Sequence, residues 1–142
     1  MHNDSSQPAS EETMAAVFEG LARGRHWELW IVETVPTPDW PDLAQGFPER
    51  FAQALRAHLD WLEQREADGT LLLSGPVDQD LGLGRGLIVL RAASRAAAEA
   101  IVADEPMARA GYRNNTVRSW TVNEGSITVR VDLMANSIRL ST

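Results

Sequence analysis

The chain has three histidines and no cysteine, and of the three it is His58 whose surroundings bear on chemistry. From Phe47 to Asp68 the apolar residues Phe51, Leu55, Leu59 and Leu62 recur at three- and four-residue steps. That spacing predicts one buried face of a helix, and His58, three after Leu55 and four before Leu62, falls within it. An inward imidazole needs hydrogen-bond partners, and this side-chain type takes up and releases protons near neutral pH. On the residues alone the plainer account is a satisfied core histidine, with acid–base chemistry as the alternative.

Other chemistries find less support. His2, His26 and His58 form no H-E-x-x-H arrangement, and Asp60, two residues after His58, faces another side of the helix, so no metal is expected. Gly82, Gly84 and Gly86 invite a phosphate-loop reading. Their G-x-G-x-G spacing lacks the Lys-Ser/Thr of a P-loop and precedes a strand, so a hairpin connection is the expectation. No cofactor is implied. Asn114-Asn115-Thr116 matches a glycosylation sequon and, with no secretory signal, is read as coincidence.

Composition narrows the class. A length of 142 residues suits one domain with a substantial core, and 13 basic against 20 acidic residues give a net charge of −7. That balance disfavours nucleic acid and anionic membrane surfaces as partners. The absence of cysteine excludes disulfides and thiolate chemistry. Without a signal-peptide pattern or an apolar run that could span a bilayer, the expectation is a soluble cytoplasmic protein.

The elements that must position His58 follow in order. Residues 1–9 are polar and read as a disordered start. A helical extension over 10–25 opens at Ser10-Glu11-Glu12 and stops near Gly24. Trp27–Val35 reads as a strand with Trp27, Leu29 and Ile31 on one face and Trp30 and Val32 on the other, which implies burial on both sides. Pro36, Pro38 and Pro41 make the next segment a loop ordered by Trp40. The His58 helix runs from about Pro48 to Asp68, with Gly69 ending it. Strands are expected at Thr70–Leu73 and Gly86–Arg91, then a Ser94-capped alanine-rich helix to about Asp104, a helical turn before Gly111, and strands at Thr116–Val122 and Ser126–Leu133. Trp30, Trp40, Trp61 and Trp120 are read as core or dimer packing, and Arg113 and Arg118 as solvated strand residues, one of which could bind a substrate carboxylate or phenolate.

The core order of strand, helix, strand, strand, helix, strand is the split β-α-β arrangement of an α+β, ferredoxin-like domain with an antiparallel sheet. Two helices cover one face, so the apolar residues on the other predict a homodimer. The domain is assigned to residues 26–135, with 136–142 as a tail.

Three segments in this order, His58-Leu59, Gly69-Thr70-Leu71-Leu72-Leu73-Ser74-Gly75-Pro76 and Glu105-Pro106-Met107-Ala108-Arg109-Ala110-Gly111, resemble the YciI-like (YCII-related) proteins. The family pattern is a helical histidine, a Gly-leu-leu-x-x-Gly-Pro strand end and an Asp-Pro-aromatic motif leading to Ala-Gly. The resemblance covers roughly residues 27–122. It implies a dimeric α/β barrel and a pocket where the histidine and the motif acid form a dyad, here His58 with Glu105 in the aspartate position and Asp104 as the neighbouring alternative. Met107 stands where an aromatic is usual.

It also implies small enzymes whose best-known activity eliminates hydrogen chloride from a chlorinated, hydroxylated aromatic. The expected function is cofactor-independent proton abstraction of lyase or isomerase type on an unidentified small-molecule ligand. Ser74, Gly75, Pro76 and Trp120 are the expected substrate-binding residues. The alternative is a non-catalytic small-ligand-binding or dimerisation module.

Overall fold

The computed structural model describes Ala15 and residues 27–126, together with the backbone of residues 128–132 and 137–141. The helical extension expected over 10–25 lies, apart from Ala15, outside the described residues. The chain divides into two compact units, Glu28–Thr121 and one made of the two chain ends.

In the first unit the strands β1 (Trp27–Pro36), β2 (Leu71–Pro76), β3 (Gly86–Leu90) and β4 (Arg113–Val122) form one sheet in the order β2-β3-β1-β4. β3 pairs antiparallel with both β1 and β2. Helix α1 (Glu49–Ala67) joins β1 to β2, and α2 (Arg95–Val102) with the short α3 (Pro106–Arg109) joins β3 to β4. This is the ferredoxin-like order.

The ladder fixes which side chains share a face. Trp30, Val32 and Thr34 stand opposite Leu90, Ile88 and Gly86. Val32, Ile88 and Leu90 pack with Trp61 of α1 and Val102 of α2, so this face carries the helices. Truncating one of these buried side chains to alanine costs about 2–5 kcal/mol. A second cluster joins Phe51 and Ala54 of α1 to Met107 and Tyr112, and Trp40 meets Phe51 edge-on with ring centroids 5.0 Å apart. The tryptophan of the proline-rich loop thus anchors that loop, as its composition predicts.

The buried stripe of α1 is Phe51, Ala54, His58 and Trp61. The expected stripe through Leu55, Leu59 and Leu62 is rotated by about one residue. Ala54 belongs to one core cluster and Trp61 to the other, so His58, inward as expected, lies between them along the helix. Leu59 is exposed.

The remaining elements start and stop for local reasons. Ser94 accepts a hydrogen bond from the Ala97 amide at 3.1 Å and caps α2. Gly84 has φ +67° and a Cβ there would lie 2.8 Å from the Trp40 ring, so the glycine-rich hairpin connection passes close against that ring. β4 begins at Arg113, three residues before the predicted start. In the second unit, β5 (Thr128–Asp132) pairs antiparallel with β6 (Ser137–Ser141), a strand within the segment read as a tail.

Candidate functional site

Glu105 is fully buried and forms the N-cap of α3, accepting hydrogen bonds from the Met107 amide on Oε1 at 2.9 Å and from the Ala108 amide on Oε2 at 2.8 Å. Pro106 at the first helical position has no N–H to lose and is preset for the helix. The same carboxylate meets His58: Nδ1 lies 2.7 Å from Oε1. Asn115 on β4 completes the shell by donating Nδ2–H to Oε2 at 3.2 Å. Each oxygen therefore accepts two hydrogen bonds, the full capacity of a carboxylate.

This shell determines the charge state. Burial pushes the Glu105 carboxyl up, but the hydrogen bonds from His58 and the Met107 and Ala108 amides, together with the charge of His58, bring it down from 4.5 to about 2. An ionised carboxylate accepts and cannot donate, so the proton between the two groups resides on His58 Nδ1. Nε2 is the ring nitrogen that Glu105 does not engage.

His58 borders a cavity of about 260 Å³ at the sheet end where β1 and β2 finish and β3 begins. That is near the lower limit for small-ligand sites, ~300 Å³. Leu55, Leu59 and Leu62 line its α1 side, so the row read as core stripe forms a pocket wall. Ser74, Gly75 and Pro76 line the β2 side. Thr34 contributes from β1, and its buried Oγ1 has no hydrogen-bond partner among the described residues. Gly86 lies opposite; a Cβ there would approach Thr34 Oγ1 to 2.9 Å and the Gly75 carbonyl oxygen to 3.2 Å.

Two expected site residues lie elsewhere. Asp104 projects from the turn before α3 with its side chain 75 % exposed and pairs with Arg109 at 3.7 Å. Glu105 takes both the capping position and the contact with His58, which leaves Asp104 no route inward. Trp120 is exposed and does not border the cavity. Arg118 pairs with Glu33 at 2.6 Å, and Glu33 alternates with Val32 and Thr34; Trp120, two residues on from Arg118, therefore shares the helix-free face.

Sequence reasoning missed Asn115, and it named Arg113 only as a solvated strand residue that, like Arg118, could bind a substrate carboxylate or phenolate. With β4 starting at Arg113, the two-residue period puts Arg113, Asn115 and Val117 on the helix side. Arg113 lines the cavity with its guanidinium 5.1 Å from the Trp40 ring centroid, and is not a solvated strand residue. The signal available in the sequence was this alternation, hidden because the strand was expected to start at Thr116. Among the described residues no group of three or more His, Asp or Glu side chains could hold a metal ion, and no helix is long and apolar enough to cross a membrane.

Fold and site together define a ferredoxin-like α+β protein with a helical imidazole held by a buried, capping carboxylate. The chain belongs to the YCII-related domain family, whose profile matches residues 37–121. Among solved structures it is similar to 5-chloro-2-hydroxyhydroquinone dehydrochlorinase from Burkholderia phenoliruptrix in complex with 2,5-dihydroxybenzoquinone, with 21% sequence identity and a TM-score of 0.49 over 65% of this chain and 92% of that one. No curated protein matches.

Proposed function

We propose that this protein is a cofactor-independent enzyme of lyase or isomerase type in which His58 Nε2 abstracts a proton from a small substrate seated in the cavity. The observation that carries this reading is the 2.7 Å contact between His58 Nδ1 and Glu105 Oε1. It fixes the tautomer and supplies a counter-charge for the imidazolium that proton abstraction creates. The electron pair released from the substrate C–H or O–H bond then either expels a leaving group, as in a lyase, or returns to a proton at another carbon, as in an isomerase. Ser74 and the Gly75 amide are the proposed donors to a developing oxyanion.

The working unit of this proposal is a homodimer joined through the helix-free sheet face, closing a dimeric barrel. Val35, Leu73, Leu87 and Trp120 are exposed. The strand registers set Leu73 and Leu87 on the side away from Val32, Ile88 and Leu90, with Val35 and Trp120 beside them by alternation.

The test is His58→Gln, assayed against small hydroxylated and halogenated aromatics and α-carbonyl C–H acids. Loss of a catalytic base forfeits a rate factor of about 10²–10⁴. The expected result is that loss with the cooperative unfolding transition retained. Full turnover by His58→Gln would refute the catalytic role, and binding of substrates without turnover by the unaltered protein would assign the chain to the ligand-binding class.

A further inference from the structure

The cavity beside His58 has a charge pattern opposite to that of the chain. The protein carries a net charge of −7, yet the cavity is bordered by Arg85 and Arg113 and by no aspartate or glutamate among the described residues. Arg113 is only partly accessible, and among the described residues its guanidinium donates no hydrogen bond and makes no ion pair: Nε is buried and unbonded, and the group stands 5.1 Å from the Trp40 ring centroid. Burial lowers its pKa from the ordinary arginine value and the field of Glu105 opposes that change. Arginine keeps its charge under such perturbation.

A half-buried cation without an acceptor is costly unless something else completes it. The Glu105 carboxylate cannot, because its oxygens are already filled by His58, two backbone amides and Asn115. The guanidinium fork matches the two oxygens of a carboxylate or the single oxygen of a phenolate. Stacking on Trp40 holds the fork in place before a ligand arrives, so little ordering remains to be done on binding. Arg113 also borders a more open groove along α2 and β4, but that groove contains Glu99, which would repel an anion. The His58 cavity is the side on which an anion meets only positive or neutral groups.

We propose that the cavity binds small organic anions, with an anionic oxygen of the ligand on the Arg113 guanidinium and Arg85 at the rim, so that the substrate class is a carboxylate or a phenolate. This rests on the cavity being the substrate site of the proposed reaction and adds to it the charge of the substrate. An anion held there would lie beside the imidazole that must remove its proton. Arg113 is therefore a binding residue that sets specificity, and His58 does the chemistry.

Two probe pairs test this on the full chain: benzoate against benzamide, and 4-nitrophenolate against 4-nitroanisole, titrated by NMR or calorimetry. At least one anion should bind tenfold or more tightly than its neutral partner, and which one does separates carboxylate from phenolate. Arg113→Gln should abolish that preference while leaving the neutral probe unchanged, Arg113→Lys should keep part of it, and His58→Gln should keep it whatever becomes of turnover. Equal binding of anionic and neutral partners, absence of binding by all four, or an undiminished preference in Arg113→Gln would each overturn the proposal. Because the wild-type preference is read without any substitution, poor folding of a variant cannot mask the result.

Discussion

His58 and Glu105, separated by 47 positions in the chain, meet at 2.7 Å through a carboxylate that is also the N-cap of α3. One side chain therefore starts a helix and orients an imidazole. Its Oε1 accepts from the Met107 amide and contacts the ring on α1, while Oε2 accepts from the Ala108 amide.

Substitution at Glu105 should therefore be felt in stability as well as chemistry. Glu105→Ala removes the cap and leaves the His58 N–H and the Asn115 amide without their acceptor, a loss of roughly 2–4 kcal/mol by urea unfolding. Asp104→Asn, at an exposed side chain paired only with Arg109, should change stability by less than about 0.5 kcal/mol.

The acid limb of stability should carry the same signature. The folded carboxyl titrates at about 2, below its ordinary 4.5. Its contribution is complete above pH 4.5 and is lost as the pH falls towards 2, a change on the order of 3 kcal/mol. Urea midpoints measured across that window should fall steeply in the wild type, and the slope should be reduced in Glu105→Gln.

The order of elements could be read from the sequence because periodicity, capping residues and glycine stops agree from β1 through β4. The contact between His58 and Glu105 could be foreseen only by position, since no local signal distinguishes Glu105 from a solvated helix end; its role appears once α3 is known to begin at Pro106. The phase of α1 was less legible. Leu55, Leu59 and Leu62 look like core residues, but a cavity wall is apolar too, and hydrophobic spacing cannot separate the two. The side on which Arg113 points was hidden for a related reason, because Asn114-Asn115 has the composition of a turn and put the expected strand start at Thr116, whereas the strand begins at Arg113 and alternation then sets Arg113 on the helix side.

Gly84 should be intolerant of a side chain. Its φ of +67° disfavours any Cβ, and that Cβ would lie 2.8 Å from the Trp40 ring, which packs on Phe51 and under Arg113. Gly84→Ala should lose about 1–3 kcal/mol in thermal or urea unfolding and weaken the anion preference of the cavity.

The helix-free sheet face should hold two copies together. Wild-type protein at micromolar concentration should have the mass of a dimer by light scattering, and Leu73→Arg should shift it to monomer, because a charge would replace a leucine 62% exposed in the single chain. A monomeric wild type would refute the dimer.

The most direct measurement is the protonation pattern of the His58 ring by long-range ¹H–¹⁵N correlation, recorded over a pH series that reaches the neutral ring. A ring oriented by an ionised Glu105 should carry its proton on Nδ1 with Nε2 free, and Glu105→Gln should alter that pattern while Asp104→Asn leaves it unchanged. A proton on Nε2, or a pattern indifferent to Glu105→Gln, would contradict the pairing on which the proposed chemistry depends.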